Sequence, residues 1–161
     1  IGQWTPLFLK NPRTKARLGD SLANRVRAVV DRHSGMLKQI DALQGLIHGD
    51  FRPANMIVDD RRRLYVADWE AARVGHILAD IGQFFRYRRM FTAEDESVFD
   101  KAYQAAGGPA LPPDWRRMSR LRDMMNPLQL LGVPVDAPRR DRDLVALVED
   151  TVSFFESAEG K

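Results

Sequence analysis

Polar residues that could perform chemistry together are concentrated between His48 and Asp68. Asn55 follows Asp50 by five positions, and Asp68 follows Asn55 by thirteen. Between Asn55 and Asp68 the short apolar runs MIV and LYVA flank a polar, arginine-rich segment, which predicts a β-hairpin. Because a hairpin returns the chain to its starting point, we expect Asp68 to lie beside the loop that carries Asp50 and Asn55.

The types of these residues suggest phosphoryl transfer. Two neighbouring carboxylates repel each other unless a proton or a cation lies between them. Oxygen ligands favour Mg²⁺, which binds through one or two carboxylates together with substrate phosphates. Asn55 and Asp68 would suit that ion, and Asp50 would stay free to accept a proton from an alcohol, as in kinases. HGDFRPAN, residues 48–55, also has the Asp-to-Asn interval of the kinase pattern H-R-D-L-x-x-x-N, with Gly49 in place of the arginine.

Two segments carry a family resemblance: LIHGDFRPANMIVDD, residues 46–60, and LYVADWEAARVGHILADIGQFFR, residues 64–86. Together they resemble the catalytic core of the aminoglycoside phosphotransferase and choline kinase superfamily, whose members are relatives of protein kinases and phosphorylate small molecules. The resemblance implies a kinase-like fold and an enzyme that uses ATP and Mg²⁺ to phosphorylate a hydroxyl group. The acceptor could be aminoglycoside-like, choline-like or another metabolite.

The resemblance also implies roles for individual residues. Asp50 resembles the catalytic base of the family, and Asn55 and Asp68 resemble the residues that bind Mg²⁺ and thereby the nucleotide. His48 resembles a histidine that shapes the loop, and Asp80 resembles an aspartate that supports the loop from a following helix.

The chain departs from the family pattern at two points. Arg52 stands where the family often has a histidine, and its guanidinium could contact the transferring phosphate or pair with a neighbouring carboxylate. Asp68 precedes Trp69 and Glu70 rather than Phe-Gly. We expect a structural role for Glu70.

The surrounding elements are predicted from the spacing of apolar residues. Recurrence at every third or fourth position predicts helices over residues 16–43, 77–91, 92–106, 115–131 and 142–158. A break is expected near Ser34 and Gly35, a kink at Pro127, and residues 1–15 are predicted to be an irregular lead-in. The predicted core aromatics are Phe84, Phe85, Phe91, Phe99 and Tyr103.

The predicted fold class is therefore mainly α with a small central β-hairpin, as in the α+β C-terminal lobe of a protein-kinase-like fold. Residues 1–161 are interpreted as one such lobe, with a catalytic core at 46–90 and a helical, acceptor-side subdomain at 91–161. The arginines at positions 86, 88 and 89 hint at an anionic acceptor, but an exposed helix face would explain them as well.

A complete enzyme of this type also has an N-terminal lobe, with a strand-borne lysine and a loop over the nucleotide phosphates. The chain contains no G-x-G, and Lys10 lacks flanking strands. We therefore expect the N-terminal nucleotide lobe to be absent and the fragment alone to be inactive. The lobe face left exposed would favour association with a partner or dimerisation.

Composition narrows the partners. The 161 residues have a net charge of +3 from 25 basic and 22 acidic side chains, without the aromatic platforms of nucleic-acid-binding surfaces. No apolar run is long enough to span a membrane. Cysteine is absent, which excludes thiol catalysis and thiolate metal sites and fits a cytoplasmic protein. We expect no nucleic-acid or membrane partner.

The leading hypothesis is an ATP-dependent small-molecule kinase. The alternative is a non-catalytic kinase-like module that binds or regulates another chain. A metallo-phosphoesterase is disfavoured, because such centres use several clustered histidines and this chain has three scattered ones. The sequence does not specify the acceptor or decide between ATP and GTP.

Overall fold

The computed structural model of the chain describes residues 2–157. The helices are α1 Trp4–Lys10, α2 Pro12–Arg32, α3 Ser34–Ala42, α4 Leu78–Phe84, α5 Ala93–Ala105, α6 Trp115–Asp123, α7 Met125–Leu131 and α8 Pro138–Ser157. The strands are β1 Gln44–Ile47, β2 Met56–Val58, β3 Leu64–Val66 and β4 Arg73–His76. This mainly helical architecture with small antiparallel sheets confirms the predicted fold class.

The core lies among the helices. Helix α2 contributes a buried stripe that includes Leu22, Val26 and Val29, and α6 and α7 contribute Leu121 and Leu128. Burying a side chain of this size stabilises the folded state by about 1.5–3 kcal/mol. The helical core therefore supports the four strands and the polar loop, which we define as residues 48–55.

Two small sheets flank the polar loop. Strands β2 and β3 form the predicted hairpin, with Met56 opposite Val66. Strands β1 and β4 form a second antiparallel pair, with Leu46 opposite Val74, and this pair was not predicted. Its strands, QGLI and RVGH, are too short to show an alternating pattern, and they pair across the whole hairpin.

The predicted irregular lead-in at residues 1–15 is wrong, because α1 and the first turn of α2 occupy it. Pro6 and Pro12 stand in the first turns of their helices, where the missing N–H has no intrahelical partner to lose. The side-chain oxygen of Asn11 caps α2 by accepting from the backbone N–H of Arg13 at 2.9 Å and of Thr14 at 3.4 Å.

The helix predicted over residues 77–91 ends at Phe84. Beyond it Arg86 makes a two-pronged ion pair with Asp123, with distances of 2.9 and 2.7 Å, and Arg88 pairs with Glu96 at 3.2 Å. The exposed-face interpretation is therefore wrong for Arg86 and Arg88, whose side chains are mostly buried. Local spacing could not reveal this, because the partner carboxylates come from other helices.

The aromatic residues predicted for the core lie together. Phe85 is buried, and Phe84, Phe91 and Phe99 pack partly buried against the core. Tyr103 stacks on Phe99 with ring centroids 5.8 Å apart.

The other predicted helix limits need smaller changes. The break near Ser34 falls at His33, between α2 and α3. The interruption assigned to Pro127 falls at Met124, one turn earlier, because proline removes the hydrogen bond to the carbonyl four residues before it. Helix α8 begins at Pro138 rather than at residue 142, and its predicted end at Ala158 lies outside the described residues.

None of the helices within residues 2–157 combines the length and the apolar character that crossing a bilayer requires.

Helices α4 and α6 approach each other closely at Gly82. A Cβ atom at this position would overlap the backbone oxygen of Ser119 and lie 2.9 Å from Cβ of Asp123. We expect Gly82→Ala to lower the free energy of unfolding by about 1–3 kcal/mol, because backbone atoms cannot move aside cheaply.

Gly35→Ala in α3 is the matched control, since a Cβ there meets nothing within 4 Å. Urea unfolding of both variants measures the difference. Equal stabilities of the two variants would contradict the close approach of α4 and α6.

Candidate active site

Helix α4 fixes the polar loop, which lies between β1 and the hairpin, through side-chain hydrogen bonds. The carboxylate of Asp80, in the first turn of α4, accepts hydrogen bonds from the backbone N–H groups of His48 at 2.6 Å and Gly49 at 3.0 Å. Hydrogen bonds to a charged group are stronger than those between neutral groups. Asp80 thus joins the start of the loop to the helical core.

His48 is buried, with 2% of its surface exposed, and it links the loop to the end of the hairpin. Its Nδ1 accepts from the backbone N–H of Asp50 at 3.3 Å, so the proton lies on Nε2, which donates to the carbonyl of Ala67 at 2.9 Å. The ring also packs against Trp69, with ring centroids 4.7 Å apart. Because Ala67 precedes Asp68, one imidazole fixes the backbone beside both acids.

Gly49 occupies a position that a larger residue could not. Its φ is +83°, and an added Cβ would lie 2.5 Å from the carbonyl oxygen of Ala71 and from a guanidinium nitrogen of Arg73. A left-handed backbone and a crowded neighbour both require glycine here. This explains why glycine replaces the arginine of the kinase pattern.

The carboxylate of Asp50 is held by three side chains. Gln83 Nε2 donates to Oδ1 at 2.7 Å, Asn55 Nδ2 donates to Oδ2 at 2.9 Å, and Arg52 Nε lies 3.0 Å from Oδ2. Asn55 Nδ2 also donates to the backbone carbonyl of Asp50 at 2.9 Å. The Asp50 side chain remains 29% exposed, so it is fixed in orientation and still open to a ligand.

Arg52 pairs with a neighbouring carboxylate, which is one of the two alternatives the sequence left open. Its side chain is 52% exposed, and ion pairs in such positions contribute little stability. The guanidinium therefore sits at the mouth of the site, beside Asp50, and is not locked into the fold.

Asp68 lies two residues after β3 in a left-handed conformation, with φ 66° and ψ 56°. Its carboxylate is exposed and makes no hydrogen bond or ion pair with another residue in the described part of the chain. The backbone N–H of Ala67 donates to the carbonyl of Asn55 at 2.9 Å, so the hairpin brings Asp68 back beside Asn55. Such backbone conformations cost about 1–3 kcal/mol and are concentrated at functional sites.

Among residues 2–157, two side chains at this end of the hairpin have oxygen atoms that lack a partner and could bind a cation. The amide nitrogen of Asn55 faces Asp50, which leaves its Oδ1 without a hydrogen-bonding partner among residues 2–157. With the unpaired carboxylate of Asp68, this gives two oxygen ligands. Within the same residues no group of three or more histidine, aspartate or glutamate side chains could hold a metal alone. Two protein ligands suit Mg²⁺, which keeps waters and substrate phosphates in its coordination shell.

Glu70, expected to be structural, is exposed and makes no hydrogen bond or ion pair with another residue in the range 2–157. Its neighbour Trp69 donates from Nε1 to the carbonyl of Val66 at 2.8 Å, which closes the turn after the hairpin. Lys10 lies in helix α1 and not on a strand.

A cavity of about 220 Å³ lies behind the polar loop, lined by Phe51, Trp69, Phe99 and Tyr103 with Asp80 at its side. Burial, together with the negative charge of Asp80, raises the pKa of the Tyr103 hydroxyl. A larger cavity of about 510 Å³, between α1 and α3, contains none of the loop residues. The chemistry of the site therefore does not coincide with the larger of these two cavities.

Gln83 is the site residue that the sequence analysis missed. It follows Asp80 by one helical turn, so both side chains leave α4 on the same face. That spacing was the available signal, but glutamine alone suggests no chemistry.

The anchoring of the loop by Asp80 can be tested directly. We expect Asp80→Asn to accelerate amide hydrogen exchange at His48 and Gly49 by at least about tenfold, because an amide offers one acceptor oxygen in place of two charged ones. Nuclear magnetic resonance measures both amides individually. Asp60→Asn, at an exposed position in the hairpin turn, is the control, and unchanged exchange in Asp80→Asn would rule out the anchor.

The model of the phosphotransferase enzyme family, APH, matches residues 4–121. Among solved structures, the choline kinase LicA from Streptococcus pneumoniae superposes with a TM-score of 0.68 at 17% identity, over 94% of this chain and 54% of that chain. A microcompartment-associated aminopropanol kinase superposes with a TM-score of 0.66 at 19% identity, over 89% and 48%. This chain thus spans about half the length of each.

No curated protein matches the chain significantly in sequence. At these identities the structural likeness concerns the fold. The match to the family model covers most of the chain, including the polar loop, the hairpin and helix α4. The chain belongs to the phosphotransferase enzyme family.

Proposed function

We propose that this chain is the catalytic lobe of an ATP-dependent small-molecule kinase, which transfers the γ-phosphate of ATP to a hydroxyl group of a small metabolite. The observation that supports this most strongly is the contrast between two acids. The carboxylate of Asp50 is oriented by three donors, whereas that of Asp68 is exposed and unpaired among the described residues. One acid is thus suited to accept a proton and the other to bind a cation.

In the proposed reaction the acceptor hydroxyl gives its proton to Asp50. The oxygen of the acceptor hydroxyl forms the new bond to the γ-phosphorus as the bond from that phosphorus to the departing ADP oxygen breaks. Asp50 is suited to this step because it is fixed in orientation and partly exposed. Proton transfer to a positioned side chain contributes about 10²- to 10⁴-fold to a reaction rate.

Asn55, through Oδ1, and Asp68, through its carboxylate, would hold Mg²⁺ on the nucleotide. When bound, this ion neutralises negative charge on the nucleotide phosphates. Arg52 would add positive charge near the transferring phosphoryl group, which its exposed position and single ion pair permit. His48 and Asp80 would keep the loop in shape without touching the substrate.

The acceptor is proposed to be an amino alcohol or a related metabolite. The two similar structures are a choline kinase and an aminopropanol kinase, which supports this class. Helices α5 to α8 would form the acceptor side of the site, as the sequence analysis expects for the region after residue 91.

The partner most compatible with the surface is an N-terminal nucleotide lobe. Exposed apolar side chains lie on the strands beside the site, as pairs across both sheets: Leu46 opposite Val74, Ile57 opposite Tyr65 and Val58 opposite Leu64. Apolar surface of this kind favours burial against another body. The same strands would also provide a binding surface for the partner of a non-catalytic kinase-like module, or for a second copy in a dimer. A measurement of activity must therefore distinguish the kinase from the non-catalytic module.

Asp50→Asn distinguishes a kinase from a non-catalytic module. We expect this change in the full-length protein to lower kcat by at least about 10²-fold, because the amide cannot take the proton, while the Kd for ATP changes less than about threefold. ATP consumption with choline and with aminopropanol measures the first quantity, and calorimetry the second. Asp60→Asn is the control. Undiminished turnover in Asp50→Asn would remove Asp50 from the proposed role.

Asp68→Asn tests the proposed cation site. We expect a rise of at least about tenfold in the Mg²⁺ concentration that gives half-maximal nucleotide binding. The reason is that Asp68, the charged one of the two proposed ligands, loses its charge. Titration of Mg²⁺ at fixed ATP measures this without turnover. A Mg²⁺ dependence equal to that of Asp60→Asn would place the cation elsewhere.

A further inference from the structure

Helix α4 presents two polar side chains to the loop, one turn apart. Asp80 accepts from two backbone N–H groups, and Gln83 donates to the side chain of Asp50. Gln83 is 7% exposed, and its Nε2 lies 2.7 Å from Oδ1 of Asp50. It is the only one of the three Asp50 partners that comes from the helical core and not from the loop itself.

The hydrogen bonds to Asp50 distinguish its two oxygens. A carboxylate offers about four lone-pair sites, two on each oxygen. Oδ2 already accepts from Asn55 and pairs with Arg52, whereas Oδ1 accepts from Gln83 alone among residues 2–157. The remaining acceptor site is therefore on Oδ1.

We propose that Gln83 is a positioning residue for phosphotransfer, which aligns Asp50 so that the open lone pair of Oδ1 receives the proton of the acceptor hydroxyl. In that step the O–H bond of the acceptor breaks, its electron pair forms the bond to phosphorus, and ADP leaves with the electrons of the broken P–O bond. This inference rests on the proposed function and specifies its geometry.

The residue type suits the task. A buried cation at position 83 would cost desolvation and would add a second positive charge beside Asp50, next to that of Arg52, which would further weaken the ability of Asp50 to take up a proton. A neutral amide donor orients the carboxylate without cancelling its charge. A glutamate would repel it.

The location also suits the task. Helix α4 cannot shift easily, because Gly82 lies against the backbone of α6 and Asp80 binds the loop. Arg52 is half exposed and belongs to the loop, so it cannot fix the carboxylate relative to the core. Gln83 therefore fixes the orientation of Asp50 relative to helix α4 and the helical core.

The experiment compares Gln83→Met with Gln104→Met in the full-length protein. Methionine keeps the length and the apolar packing of glutamine but cannot donate a hydrogen bond. Gln104 in α5 is a matched control, because its Nε2 also donates to an aspartate, Asp100, at 2.9 Å, at an exposed position away from the loop. Choline and aminopropanol serve as acceptors, and Asp50→Asn provides the inactive reference.

We expect Gln83→Met to lower kcat by about 10- to 100-fold, with the KM for ATP within about twofold and an unchanged melting temperature relative to Gln104→Met. An unchanged kcat, beside an inactive Asp50→Asn, would overturn the role of Gln83 and leave the proposed function intact. A lower kcat accompanied by a higher KM for ATP and a lower melting temperature would also overturn it, because these changes together indicate a purely structural residue.

A crystal structure of the full-length Gln83→Met variant gives a readout that needs no turnover. A carboxylate of Asp50 that rotates away from its wild-type orientation supports the inference. A carboxylate that keeps its orientation, held by Asn55 and Arg52 alone, contradicts it. If Asp50→Asn itself keeps its turnover, the proposed function fails, and this crystal structure still decides whether Gln83 orients Asp50.

Discussion

The hydrogen bonds from the backbone N–H groups of His48 and Gly49 to Asp80 are the constraint on which the site depends. They attach a loop that lies outside the α-helices and strands to a helix that belongs to the core. Without them the hydrogen bond from Gln83 to Asp50 would be the remaining polar link between α4 and the loop among residues 2–157. A charged acceptor in the first turn of α4 also interacts favourably with the positive end of the helix dipole.

From this anchor a chain of polar contacts carries the geometry further, beside the ring contacts of His48 with Trp69 and of Phe51 with Phe84. His48 passes the constraint to the end of the hairpin through Ala67, and the hairpin sets Asp68 beside Asn55. Gln83 adds a second link from α4 to the loop, at Asp50. Polar networks of this kind specify positions more narrowly than apolar contacts, because each bond has a preferred direction and distance.

The helices in turn are locked by buried ion pairs. Arg86 and Asp123 join α6 to the segment after α4, beside the close approach at Gly82. A bidentate pair of this kind adds geometric specificity. The strands on either side of the loop contrast with this interior, because they expose apolar side chains. The chain is thus well packed around the site and exposes apolar surface where we propose that a nucleotide lobe binds.

The sequence by itself determined the features that depend on neighbouring residues. The interval from Asp50 to Asn55, the hairpin and the helix expected over residues 92–106, which is α5, were all predictable from local patterns. The prediction of an irregular segment at residues 1–15 is wrong because Pro6 and Pro12 stand in the first turns of helices, where proline does not break them.

Only the tertiary structure decided the pairing of β1 with β4, the burial of Arg86 and the contact of Gln83 with Asp50. These contacts join residues 26 or more positions apart, and hydrophobic periodicity carries no information about which distant groups will meet. Side chains such as glutamine and arginine read as surface residues until the packing of helices supplies a partner.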